Sequence, residues 1–344
     1  MKSVGISRYA VAVVAASLVL AGCSSTKSSS TSPGSSAASG GSAAAHGKKL
    51  TIGVSFDLLN SIRSAEKNAI QSAADAAGYT VVFDVADQDP QKQASQIQDL
   101  IQAKKVDAVI AIAQDGQQIS SSISLAKAHD VPFLTIDRAV ADQQSVSFQI
   151  TGDPKADGAA VAAEFINAAK TTPLKVLELV GGLTDQNAIG RRDGFNAALV
   201  GNPNVTIVSQ VPTDWKPDQA LDGTSNALQK DPGINAIYSP SDFLLPSVQS
   251  ALTAANRLAP IGDAKHVFMV TIDGDPNGCK AMKAKTLDAD IATPVADFGK
   301  QAIAAVTTAT GGGKVDPQTV QAKGLTLNQA NFATTSSQVW GCGS

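Results

Sequence analysis

Aromatic residues make up only 4% of this 344-residue chain, and it holds just three cysteines and three histidines. So few cysteines exclude a disulfide-dense scaffold, and so few histidines leave little from which to build a His/Cys zinc cluster. Charge of one sign is missing too: 27 Lys plus Arg stand against 30 Asp plus Glu, a net charge of −3. No basic field is available to hold nucleic acid or an anionic membrane surface. Catalytic templates are also absent: there is no Gly-x-Ser-x-Gly elbow, no His-Glu-x-x-His, no Walker A loop and no Gly-x-Gly-x-x-Gly after the first strand. Asp84, Asp87 and Asp89 lack the glycine and terminal glutamate of a calcium loop and read as turn and capping residues. His129 and His266 have no His, Cys or carboxylate partner at ligand or triad spacing. These absences point away from an enzyme, a cofactor or a resident metal. What is there is 43% hydrophobic content in a length that suits two domains.

The longest early apolar run, Val11 to Leu20, is too short to cross a hydrocarbon core of about 30 Å. Preceded by Lys2 and Arg8, it reads as the apolar region of a signal peptide over residues 1–22. Leu20-Ala21-Gly22-Cys23 resembles a bacterial lipobox, in which the cysteine thiol forms the thioether of a lipid anchor. Two acyl chains of palmitate type, at about 0.8 kcal/mol per buried CH₂, would make the tethering stable. Removing Lys2 and Arg8 leaves 25 basic groups against 30 acidic, a mature charge of −5. Residues 23–49 then form a Ser/Ala/Gly tether with nothing apolar larger than alanine after Cys23. Such a stretch cannot bury enough surface to offset its ordering entropy.

From Leu50 the pattern changes. Residues 50–56, 80–85, 107–113 and 132–136 read as strands, and 64–77, 90–104 and 119–129 as helices with 3.6-residue apolar stripes, such as Ala94, Ile97 and Ile101. Asp89-Pro90 supplies a cap and a first-turn proline. The cycle restarts at Asp153-Pro154, with strands near 175–180, 205–211, 234–238 and 267–272, and helices near 189–200, 217–230 and 243–256. Uniformly apolar strands spaced by helices predict an α/β fold with two doubly wound parallel sheets. Ligands of such folds sit beyond the carboxyl ends of the strands.

Arginine placement singles out those loops. After the signal segment only Arg63, Arg138, Arg191, Arg192 and Arg257 remain, and the first four fall at or just after the carboxyl ends of expected strands. Guanidinium forks and carboxylates can each hold two neighbouring hydroxyls, and the face of Trp215 can lie against a sugar ring. Arg192 reads as a solvated helix residue, whereas Arg63 suits either the ligand or solvent.

The segments Ile-Asp-Arg at 136–138, Gly-Arg-Arg-Asp-Gly-Phe at 190–195, Ser-Asp at 241–242 and Ile-Asp-Gly at 272–274 resemble the type I periplasmic sugar-binding proteins. The resemblance runs from about Leu50 to Gln321 and implies two lobes joined by a three-crossover hinge. It places one lobe at 50–151 plus 294–322 and the other at 152–293 plus 323–344. It also implies ligand contacts from Asn60, Asp137 and Arg138 in the first lobe, with Arg63 as a further candidate. The second lobe would supply Arg191, Trp215, Ser241 or Asp242, and Asp273, with Thr293 near the second crossover. Asp273 otherwise caps the helix beginning near Pro276. Ribose-type members carry aromatics where this chain has Ile62 and Arg63, and an asparagine, a phenylalanine and a glutamine where it has Ser241, Ile272 and Thr293. Those departures leave the ligand open among sugars, polyols and sugar acids.

Cys279 and Cys342 are the pair left after Cys23, and an even pair in an exported chain favours a disulfide. Together these readings predict a monomeric, lipid-anchored binding protein on the extracytoplasmic face. It would deliver a carbohydrate to an ABC permease and its ATPase, touching the membrane through its anchor only. A subunit presenting bound sugar to a membrane receptor or kinase would carry the same sequence features.

Overall fold

A computed structural model describes residues 49–343, which belong to one compact unit. The signal segment, Cys23 and nearly all of the tether lie outside the described residues. The first half runs β1 (Thr51–Phe56), α1 (Ser61–Ala77), β2 (Thr80–Val85), α2 (Pro90–Gln102), β3 (Ala108–Ala111), α3 (Ser120–Ala128), β4 (Phe133–Asp137) and β5 (Phe148–Gly152). The second runs α4 (Pro154–Ala168), β6 (Leu174–Val180), α5 (Gln186–Leu199), β7 (Val205–Pro212), α6 (Pro217–Lys230), β8 (Ala236–Tyr238), α7 (Leu245–Ala254), β9 (Phe268–Asp273), α8 (Pro276–Lys283) and β10 (Ala289–Ala292). The chain ends with α9 (Val295–Thr310), β11 (Thr319–Ala322) and β12 (Leu325–Asn328), followed by short helical turns.

The strands form two six-stranded sheets, ordered β11-β5-β4-β3-β1-β2 and β12-β10-β9-β8-β6-β7. All pairings are parallel except β10 with β12. Each sheet, with its helices, is one lobe. The chain passes between lobes three times: after β5, between β10 and α9, and between β11 and β12.

Alternation along each strand feeds two cores per lobe. In β3, Ile110 packs with Ile52, Leu134 and Phe298 on one face, while its neighbour Val109 joins Ile97, Leu100 and Ile123 on the other. In the second lobe, Leu177 and Met269 meet Leu245, Val248 and Met282, while Val176 and Val270 meet Phe165 and Phe195. Strands covered on both faces need apolar side chains in both directions, which is why they read as nearly continuous apolar runs.

Helix starts follow side-chain chemistry. Asp89 accepts from the Gln91 and Lys92 N–H groups ahead of Pro90, and Asp153 accepts from Ala156 ahead of Pro154. Asp87, in a turn as expected, pairs with Lys92, whereas Asp84 is not a turn residue but lies within β2, where it pairs with Lys104. The α4–α5 contact is closer than side chains permit. A Cβ at Gly158 would lie 2.0 Å from the Arg191 carbonyl oxygen, and one at Gly194 would lie 2.1 Å from the Lys155 oxygen. Two glycines therefore set the depth at which α5 carries Arg191. At the C-terminal end, the Cα atoms of Cys279 and Cys342 are 5.3 Å apart, within disulfide reach.

Candidate functional site

Strand ends from both sheets converge on a small cavity of about 30 Å³. The first lobe lines it with Leu58, Asn60, Ile62 and Arg63 after β1, and with Asp137 and Arg138 at the end of β4 and just beyond it. The second lines it with Asp185, Asn187 and Arg191 before and along α5, with Trp215 and Ser241 after β7 and β8, and with Asp273 at the end of β9.

Eight of the ten ligand candidates named from sequence meet here. Asn60 caps α1, its Oδ1 accepting from the Arg63 N–H at 3.1 Å. Arg63 is buried, not solvated: its Nε meets Asp57 at 2.8 Å, Nη1 meets Glu66 at 2.8 Å and Nη2 meets Asp137 at 2.9 Å. Arg138 reaches Asp57 at 2.7 Å through Nη1 and Asp185 at 2.9 Å through Nη2. Arg191 donates to the Pro240 carbonyl at 2.8 Å and to Asp273 at 2.9 Å, and Ser241 donates to the other Asp273 oxygen at 2.5 Å. The Trp215 ring lies on Gly181, where a Cβ would come within 2.2 Å of it, and its Nε1–H donates to Asp185 at 2.8 Å.

Asp242 and Thr293 do not reach the cavity wall. Asp242 is fully buried behind it, accepting from the Thr271 hydroxyl and, at 2.7 Å, from the Asp275 N–H. Burial, then the neighbouring carboxylates Asp290 and Asp275, push its pKa well above the usual carboxylate range. Thr293 is buried at the second crossing, its N–H donating to the Asp273 carbonyl at 3.0 Å. The cap of α8 is Asp275, which leaves the Asp273 carboxylate to Arg191. Arg192 is half-buried on the outer side of α5 and pairs with Asp193. His266, without a partner at sequence spacing, does have one in space: Asp288 at 3.0 Å, alongside the Ala259 carbonyl.

Asp57, Glu66, Asp185 and Asn187 were not foreseen. Asn187 had a signal, because it precedes Arg191 by four residues and so shares its helix face. Asp57 and Glu66 are charged residues on what reads as core-facing sequence, and their burial is accounted for by Arg63, which meets both, and by Arg138, which also meets Asp57. Burial alone would raise Asp57, but Arg138 and Arg63 hold it below the usual carboxylate range. Glu66 has only one such partner, and burial raises it to about 8. The backbone is also under local stress: Asp137, Asp214, Trp215 and Asp273 all have positive φ (60°, 47°, 59° and 123°). Such strain persists where surrounding contacts over-determine it, and it concentrates at binding sites.

Two doubly wound lobes with a buried polar cavity between their strand ends define a binding protein of the cleft type. The chain belongs to the periplasmic binding protein domain family, whose model matches residues 52–314. It is 30% identical over 269 residues to the ribose import binding protein RbsB of Bacillus subtilis, covering 78% of this chain and 84% of that one. An ABC transporter solute binding protein from Mycobacterium smegmatis, solved with bound glycerol, superposes with a TM-score of 0.76 at 25% identity, covering 84% of this chain and 97% of that one. A galactofuranose binding protein shares the fold, with a TM-score of 0.78 at 21% identity over 86% of this chain and 100% of that one.

Proposed function

We propose that this protein captures a small carbohydrate between its two lobes and delivers it to an ABC importer. The observation that carries this reading is a pair of orphaned donors. The Nε–H groups of Arg138 and Arg191, one from each lobe, are buried without an acceptor. Each would cost about 1–3 kcal/mol left unpaired, and ligand hydroxyl oxygens would satisfy them. Asp137, Asp273 and Asn60 add acceptors for hydroxyl hydrogens, and the Trp215 face suits the C–H side of a ring. The names of the Bacillus and Mycobacterium relatives support the same substrate class and transport role.

In this reading the lobes are 50–151 plus 294–322 and 152–293 plus 323–344, hinged at the three crossings. Closure brings together contacts that neither lobe offers alone, so ligand shifts the open–closed equilibrium. Cys23 carries the lipid, residues 23–49 form the tether, Cys279 is bonded to Cys342, and the protein acts as a monomer on the extracytoplasmic face. A thermal-shift screen of the mature chain against pentoses, hexoses, polyols and sugar acids tests the reading. At least one should raise Tm in a concentration-dependent way, and a flat response across the panel counts against it.

A further inference from the structure

Resting on the carbohydrate reading, we propose that Asp185 is a specificity residue that restricts the site to uncharged ligands by occupying Arg138 when the cleft is closed. A carboxylate is recognised best by two parallel N–H bonds from one edge of a guanidinium. No arginine of this site offers such an edge with both nitrogens unengaged. Arg63 has Nε, Nη1 and Nη2 committed to Asp57, Glu66 and Asp137. Arg191 has both Nη atoms committed, to the Pro240 carbonyl and Asp273. Arg138 gives Nη1 to Asp57 and Nη2 to Asp185. The guanidinium nitrogens left with no partner at all are Nε of Arg138 and Nε of Arg191, each a single N–H that suits a hydroxyl oxygen rather than a bidentate anion.

Asp185 differs from the other partners in where it comes from. Asp57, which also holds Arg138, belongs to the same lobe as that arginine, whereas Asp185 arrives from the opposite lobe at the start of α5. It is fixed there twice over, capping α5 through the Asn187 N–H at 2.9 Å and accepting from Trp215 Nε1. A sugar acid placing its carboxylate on Arg138 would compete with Asp185 for one nitrogen. It would also bring a further negative charge beside Asp57, Asp137 and Asp273 in a buried site, where like charges repel strongly.

The test is calorimetric titration of wild type, Asp185→Asn and Asp185→Ser with matched pairs: D-ribose and D-ribonate, D-galactose and D-galacturonate, D-glucose and D-gluconate. Asparagine and serine both serve at an N-cap, so α5 keeps its start, and a melting curve checks each variant's fold. Wild type is expected to bind its preferred neutral sugar at least a hundredfold more tightly than the matched acid, and both variants should reduce that ratio at least tenfold. Equal affinity of wild type for sugar and acid would overturn the proposal, as would an unchanged ratio in folded variants. Binding of neither class by wild type would overturn the carbohydrate reading and this inference with it.

Discussion

Asn187 donates its side-chain N–H to an Asp137 carboxylate oxygen at 3.1 Å, joining the start of α5 in one lobe to the end of β4 in the other. Ser61 and Asp275 make a second bond between the lobes, and Arg138 with Asp185 a third. The cleft is therefore held shut by polar contacts at its own binding surface, and opening must exchange them for water.

Removing Asn187 should favour the open form. A hydrogen bond to a charged group is worth about 1.5–3 kcal/mol, so Asn187→Ala is expected to weaken ligand binding about tenfold or more with little change in the ligand-free Tm. Calorimetry with the best ligand checks this. Unchanged affinity would mean that the bond plays no part in closure.

Glu66 should make stability fall with rising pH. Its folded pKa, raised by burial to about 8, lies above its unfolded value near 4.5. Between those values the folded chain keeps a proton that the unfolded chain has lost. The stability linked to this group is thus whole below about 4.5, declines up to about 8 and is level beyond. Glu66→Gln keeps a polar group facing Arg63 without the ionisation. Denaturant melts between pH 5 and 8 should show a pH dependence shallower by up to about 1.4 kcal/mol per unit, and parallel curves would refute the assignment.

The frame is readable because parallel strands buried on both faces are nearly apolar throughout, as in β3, and because Asp-Pro pairs announce helix starts at α2 and α4. The edges were less so. β12 runs antiparallel beside β10, and its Leu325-Thr326-Leu327-Asn328 has no marked apolar run. At the site, Arg138, Arg191 and Trp215 stood out because they follow strands. Arg63 was ambiguous because its partners Asp57 and Glu66 give no sign in sequence that they turn inward. Sequence leaves Ser241 and Asp242 as alternatives, and local geometry separates them: Ser241 turns to Asp273 in the cavity, and its neighbour turns away into the interior.

Gly181 is expected to tolerate no side chain. A Cβ there would stand 2.2 Å from the Trp215 ring, and overpacking of this kind costs about 1–3 kcal/mol. Gly181→Ala should lower Tm and, by moving the indole off Asp185, shift tryptophan fluorescence and weaken ligand binding. An unaltered spectrum and affinity would show that the ring has room to spare.

The proposed Cys279–Cys342 disulfide should leave no free thiol in oxidised, denatured protein beyond any contributed by Cys23. Closing a loop with a sequence separation of 63 residues contributes about 4 kcal/mol in the chain-entropy model. Cys279→Ser with Cys342→Ser is therefore expected to lower Tm markedly. Two reactive thiols in the denatured, unreduced mature domain would contradict the bond.

Capture as proposed requires one ligand to be held by both lobes at once. Calorimetric titration of wild type, Arg138→Ala and Arg191→Ala with the sugar that shifts Tm most tests it directly, since the two arginines lie in different lobes. The predicted result is one site per chain in wild type and at least a hundredfold loss of affinity in each folded variant. Wild-type affinity in either variant would contradict a ligand shared between the lobes.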